Sequence, residues 1–314
     1  MRRFLDTLIS TGAMLALTAL LQPAAACALS ITDLTSTTWT GARGRGYDVF
    51  DARRVAQAVT FRIRSSDGGC SFFATVAPTV TTGRGAGLLR HGSATLQYTL
   101  AKDASGSQPL SALNLASVSE TFASTMATGE GTASFQFALA LAPQQVVPPG
   151  QYTDQMEISV YEGSLANPVL RDRRRFAFTV PVPAVAELSF SEGGDFDVGR
   201  GSYTVNFQNL RAGTRRDVRL KVRSNAGYRI NFQSANGVLR HVDASDGSEV
   251  PYTISVDSGN LQLRRGVPMQ AILSNDLTDA SGRQHLINFT VGDIGSASAG
   301  DYSDTIDLSV LTLR

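Results

Sequence analysis

The sequence predicts an all-β protein: two tandem immunoglobulin-like β-sandwiches, the C-terminal one lacking its last strand. Three observations predict it. Apolar and polar residues alternate with period two in many short runs, the pattern of strands with one buried face. The chain repeats itself once, with copies offset by 150 to 159 residues. Only ten residues remain after the second copy of a strand-entry motif, where the first copy runs on into further sheet. Composition agrees. Of 314 residues, 42% are hydrophobic and 18% are charged, enough for packed cores and below the ~25% charge of ordinary globular chains. The length suits two domains.

In chain order, residues 1–26 read as an export signal peptide. Met1-Arg2-Arg3 is a basic start, Leu8 to Leu21 is apolar apart from Ser and Thr, and Ala24-Ala25-Ala26 is a small-residue cleavage site. Its removal takes away Arg2, Arg3 and Asp6, leaving 26 basic and 26 acidic residues. A neutral chain excludes an ordinary electrostatic nucleic-acid binder. No apolar run of ~20 residues comes after Cys27, so no transmembrane anchor is expected. Two Cys and three His are too few for a multi-ligand zinc site, and no metal or cofactor is expected.

Cys27 then opens the mature chain, and two readings stand. It pairs with Cys70 in a single disulfide, as two Cys in an exported chain allow. Alternatively it is lipidated, although Ala24 stands where a lipoprotein signal has a large aliphatic residue. Either role is structural.

Four anchor segments recur in order. Phe61-Arg62-Ile63-Arg64-Ser65 matches Leu220-Lys221-Val222-Arg223-Ser224, and Leu89-Arg90-His91 matches Leu239-Arg240-His241. Leu96 to Leu100 resembles Val250 to Ile254, and Gly150-Gln151-Tyr152-Thr153-Asp154 matches Gly300-Asp301-Tyr302-Ser303-Asp304. The domains are therefore placed at 27–183 and 187–314. Both copies alternate: Val59, Phe61 and Ile63 in one, Val218, Leu220 and Val222 in the other. Leu110–Met126 comes nearest to a helical pattern, weakened by its Ser and Thr. Tyr152 and Tyr302 each precede a strongly alternating run and suit a tyrosine corner, in which the hydroxyl bonds back to upstream backbone.

Beyond the corners the two copies differ. The first continues through Met156, Ile158 and Val160 to a second alternating run, Phe176, Phe178, Val180 and Val182, suited to a closing strand. The second has Ile306, Leu308 and Val310 and then ends. A sandwich one strand short exposes core side chains and an unpaired backbone edge, which a strand from another chain can fill.

The order of Tyr47-Asp48, Arg64-Ser65, Cys70-Ser71-Phe72-Phe73 and Gly150-x-Tyr152-Thr153-Asp154 resembles the spore coat protein U domain, typical of subunits of archaic chaperone–usher pili. The second copy, from Phe207-x-x-Leu210-x-Ala212-Gly213 through Ser224-Asn225 and Tyr252 to Gly300-x-Tyr302-Ser303-Asp304, resembles it too, but has no Cys. The resemblance implies a two-domain fimbrial tip adhesin that mediates attachment or biofilm formation. It implies a periplasmic chaperone, an outer-membrane usher and a next subunit whose donor strand enters a groove beside Ile306, Leu308 and Val310. It places the protein in the periplasm in transit and then at the cell surface. Trp39, Leu113, Phe122 and Met126 are the candidate adhesive loop residues for an unidentified surface ligand, with a place in the sandwich core as the other reading of Trp39. A minor or shaft pilin with an extra domain and a self-contained secreted coat protein are the alternatives.

No enzyme is expected. Gly41 to Gly46 and Gly83 to Gly87 lack the Lys-Ser/Thr of phosphate loops. Arg171 to Arg175 reads as a solvated hairpin. His91 and His241 occupy equivalent repeat positions, and His285 stands alone in an apolar run. Asp301, Asp304 and Asp307 on one strand make no calcium cage.

Overall fold

The computed structural model describes residues 27–313, except 36, 42–43, 68, 81, 128 and 191–195. The expected signal peptide lies outside the described residues. The protein is all-β, built from antiparallel sheets.

The first unit has nine strands: β1 (Leu29–Leu34), β2 (Val55–Ser65), β3 (Ser71–Pro78), β4 (Ala86–His91), β5 (Ala94–Ala101), β6 (Phe122–Thr125), β7 (Gly131–Leu141), β8 (Gly150–Ser164) and β9 (Asn167–Val182). They pair in the order β1-β2-β7-β5-β4-β8-β3-β6, with β9 on the free side of β8. A single backbone pair, Arg90 with Thr153, joins β4 to β8. Around it the sheet folds into two faces that enclose one core, with Phe61, Phe137, Tyr152, Ile158 and Phe178 fully buried. Each lies on an alternating strand, so period two alone carries these side chains inward.

The second unit repeats the order with β10 (Ala186–Phe190), β11 (Arg215–Ser224), β12 (Tyr228–Ser234), β13 (Leu239–His241), β14 (Glu249–Val250), β15 (Tyr252–Val256), β16 (Gly259–Leu261), β17 (Met269–Ser274), β18 (Arg283–Val291), β19 (Tyr302–Ser303) and β20 (Ile306–Thr312). Its sheets run β10-β11-β18-β15-β16, β17-β12-β20 and β14-β13-β19. Its core is Val218, Leu220, Val222, Ile230, Phe232, Ile254 and Ile287 with their neighbours.

The stretch Leu110–Met126 forms no α-helix. It makes a 3₁₀ turn at Val118–Glu120 and then β6. Its polar side chains bond locally instead: Thr121 Oγ1 donates to Val118 O at 3.0 Å, and the Glu120 carboxylate accepts the Ser117 N–H at 3.1 Å.

Cys27 and Cys70 are disulfide-bonded, with a sequence separation of 43. The bond ties the start of β1 to the start of β3.

The two corners have one construction. Tyr152 Oη donates to Pro148 O, and Tyr302 Oη to Ser298 O, each at 2.8 Å. The imidazole of the repeated Leu-Arg-His triplet lies beside each phenol, His91 at 5.4 Å and His241 at 5.0 Å between ring centroids. The Gly of each Gly-x-Tyr faces that imidazole. A Cβ at Gly150 would stand 2.5 Å from His91 Nε2, and one at Gly300 would stand 2.0 Å from His241 Nε2, so only Gly fits. The Asp after each corner accepts a bond from a second phenol: Tyr98 to Asp154 and Tyr252 to Asp304, both at 2.6 Å. Burial and the neighbouring Asp push both phenols well up. Burial also pushes the Asp154 carboxyl up, against the opposing pull of its Tyr98 bond.

The joint between the units centres on Asn225, which is fully buried. Its Nδ2 donates to Pro183 O at 2.9 Å and to Val147 O at 3.2 Å, and its Oδ1 accepts the Val185 N–H at 2.8 Å. The Arg223 guanidinium lies over the Phe50 ring at 4.8 Å and the Phe196 ring at 4.3 Å, and Glu187 accepts its Nε–H at 2.5 Å. One side chain of the second unit, that of Asn225, thus bonds to the first unit and to the connecting segment.

The disulfide and the corner each give the first unit a measurable dependence. Replacing both Cys27 and Cys70 by Ala lowers its unfolding free energy by about 3–4 kcal/mol, read from denaturant melts. Gly150→Ala lowers it by about 1–3 kcal/mol through the clash with His91 and through a φ of 157° that a Cβ disfavours, and His91→Ala in the same chain relieves only the clash, leaving the backbone part of the loss.

Candidate functional site

The site is the outer edge of β20 and the groove beneath it. On its inner side β20 pairs with β12 from Thr312 opposite Tyr228 to Ile306 opposite Ser234. Among the described residues no strand pairs its outer side. The first unit shows what belongs there. β8, the counterpart of β20, is paired along its whole outer side by β9, from Gly150 opposite Val182 to Ser164 opposite Asn167. β9 is held on its own far side as well. Thr179 N donates to Thr37 O at 2.9 Å, Trp39 N to Thr179 O at 2.7 Å, and Tyr47 N to Pro181 O at 2.8 Å. Thr37, Trp39 and Tyr47 on one side and β8 on the other therefore grip β9 from both edges.

Burial tracks the pairing. Met156, Ile158 and Val160 on β8 are fully buried, whereas Ile306, Leu308 and Val310 at the matching positions of β20 are only half-buried. β9 closes the first core with Phe178, Val180 and Val182, all buried. In the second unit the same space is a groove of about 1050 Å³, lined by Leu188, Phe190, Phe232, Phe289, Ile306 and Leu308 among others. The far wall is the segment 202–208, which presents Val205 and Phe207 and corresponds to the segment that grips β9. The contribution of β10 and of 202–208 was not evident from sequence. Its signal is the alternation of Leu188 with Phe190 and of Val205 with Phe207.

The groove offers an extended backbone edge above an apolar trough. Its carboxylate Asp304 is engaged by Tyr252 Oη, by Ser234 Oγ and by the Asn236 N–H at 3.0 Å. Among the described residues no three His, Cys, Asp or Glu side chains are grouped to hold a metal ion.

The candidate adhesive residues are not where exposed loop contacts require. Trp39, Phe122 and Met126 are buried in the first core, and Leu113 is half-buried. Apolar residues in irregular segments serve here to plug the ends of the sandwich. The exposed apolar side chains of the first unit are others: Val80, Leu115, Val118, Val169 and Leu170. Val169 and Leu170 lie beside the turn between β8 and β9, at the end of that hairpin remote from the joint. The arginines of the 171–175 run are largely paired: Arg171 with Glu162, and Arg173 and Arg175 with Glu157 at 3.2 and 2.9 Å.

His285 is not alone. Its ring bonds to Tyr228 Oη at 2.9 Å and to Asp257 Oδ2 at 2.5 Å, joining β12, the β15–β16 turn and β18 inside the second unit. No helix among the described residues is long and apolar enough to cross a membrane.

Among curated proteins none matches the chain. Solved structures it is similar to include pilus subunits and adhesins. One is a chain of the CsuC–CsuE chaperone–tip adhesion subunit pre-assembly complex from archaic chaperone–usher Csu pili of Acinetobacter baumannii. It is 11% identical over 82% of this chain and 91% of that one, with a TM-score of 0.42. Another is CfaE, the adhesive subunit of CFA/I fimbria of enterotoxigenic Escherichia coli, 11% identical over 76% and 81%, with a TM-score of 0.37. A third is the CupB6 tip adhesin from Pseudomonas aeruginosa, 9% identical over 90% and 94%, with a TM-score of 0.31. These are remote likenesses. Residues 13–159 match the family model of the Spore Coat Protein U domain, the segment that contains the disulfide, the first corner and the strands from β1 into β8. That likeness covers the N-terminal part of the chain.

Proposed function

We propose that the chain is a fimbrial subunit of the chaperone–usher class, structural and adhesive rather than enzymatic. Its second sandwich is completed by a donor strand, and its first is a tip adhesin domain. The observation that carries this reading is the one-sided β20 above a groove that β9 fills in the first copy. The Spore Coat Protein U domain, which in sequence pattern typifies archaic pilus subunits, supports it.

The first copy supplies the template for the occupant. β9 places Phe176, Phe178, Val180 and Val182 opposite Met156, Asp154, Tyr152 and Gly150. By the repeat, an incoming antiparallel strand sets two large and two β-branched side chains opposite Ile306, Asp304, Tyr302 and Gly300. Burying a large apolar side chain is worth about 1.5–3 kcal/mol, so four of them drive insertion strongly. Backbone pairing along β20 then fixes register. A chaperone strand holds the groove first, and the next subunit's strand replaces it at the usher. Exchange needs no nucleotide, because the better-packed strand wins.

The full chain, produced in a periplasm with and without a tethered copy of residues 176–182, tests this. The tether is expected to convert an aggregating product into one with a cooperative second-unit melt, and Leu308→Asp to abolish that gain while leaving the first unit's melt unchanged. A second unit that folds cooperatively and monomerically without the tether, and gains nothing from it, contradicts the reading.

The adhesive contact is the hairpin end bearing Val169 and Leu170. Val169→Asp with Leu170→Asp is expected to reduce cell attachment at least tenfold without lowering pilus yield or the first unit's melting temperature. Gold labelling against the first unit is expected at fibre ends. Labelling along the shaft overturns the tip assignment.

A further inference from the structure

The start of β1 is capped in a way that the pilus reading does not use. Cys27 is 7% exposed, and its backbone nitrogen donates to Glu162 Oε2 at 3.2 Å. The same oxygen accepts Arg171 Nε–H at 2.6 Å. Four residues further on, in β1, Asp172 Oδ2 accepts the Ile31 N–H at 2.6 Å. Glu162 on β8 and Asp172 on β9 thus take up N–H groups on the side of β1 that faces away from β2. Carboxylates, rather than another strand, block this edge.

An amide N–H gives Glu162 a single neutral bond. The sequence puts a small-residue cleavage site immediately before this nitrogen, at Ala24-Ala25-Ala26. We infer that Glu162, steadied by Arg171, is the receptor for the α-ammonium group created when the leader is cut between Ala26 and Cys27. Hydrolysis breaks the Ala26–Cys27 peptide bond. Water gives its hydroxyl to the Ala26 carbonyl carbon and a proton to the Cys27 nitrogen, and a second proton from solvent makes it cationic. The group then carries a full charge and three donors against a carboxylate that is only a quarter exposed. Charge-assisted bonds of this kind are roughly twice as strong as neutral ones. The local charges balance: Glu162 and Asp172 against Arg171 and the ammonium.

The same geometry decides between the two fates of Cys27. Its sulfur is committed to Cys70, so it has no thiol for a lipid thioether. An acylated nitrogen would lose the charge that Glu162 is placed to receive.

The test uses the exported full chain. Intact mass and N-terminal sequencing are expected to give Cys27 as the first residue, disulfide intact and without lipid. The pH dependence of α-amine labelling is expected to place the amine above the ordinary range of about 7.7–8.0. Glu162→Gln is expected to return it to that range, with about tenfold faster labelling at neutral pH, while Glu162→Asp keeps most of the protection. A mature N-terminus at any other residue overturns the inference. So does a labelling profile that is the same in Glu162→Gln as in the unmodified chain.

Discussion

An unpaired strand edge is the constraint on which the rest of this structure depends. A strand presents half of its N–H and C=O groups to each side, and a side left unpaired above exposed core residues is unstable in isolation and prone to pairing with other chains. The protein meets this constraint twice with one fold. In the first unit the chain continues past β8, turns and lays β9 along the open side. In the second, β20 is paired on one side only among the described residues, and the trough beneath it keeps the outline of the strand that the first unit holds there. Half-buried Ile306, Leu308 and Val310 are the packing consequence of that missing edge.

The surrounding architecture holds the groove in shape. Each corner locks the strand after it through Tyr to backbone, His against Gly, and Asp to a second Tyr. The construction is the same whether the neighbouring edge is filled or open. The second unit therefore presents its groove on a frame set by side chains rather than by the occupant. The Asp257–His285–Tyr228 chain ties β12, the partner of β20, to β18, and Asn225 binds the joint between the units. Asn225, Tyr228 and His285 are buried and bonded, which favours one arrangement over looser alternatives.

Much of this was legible in sequence because it rests on local patterns. Period-two runs located β2, β8, β9, β11 and β20 but not β7 or β18, and the repeat revealed both the duplication and the unequal ends. The Gly-x-Tyr-x-Asp motif marked the corners because the imidazole packed against each Gly leaves no room for a Cβ. What escaped depends on distance in the chain. His285 looked isolated because its partners lie 28 and 57 residues away. Trp39, Phe122 and Met126 looked like loop contacts because an irregular segment has no period to show which side faces the core. The walls of the groove at β10 and 202–208 were hidden for the same reason. Short alternating pairs carry little signal until a neighbouring strand gives them a face.

Amide hydrogen exchange along β20 tests the central claim most directly. In the full chain without an occupant, the amides of Ile306 to Thr312 that face away from β12 are predicted to exchange close to the rate of an open chain, while those facing β12 are protected. The outward set becomes protected when a strand enters the groove, with β8 unchanged throughout. Outward amides that are already as protected as those of β8 before any strand is added would contradict the account.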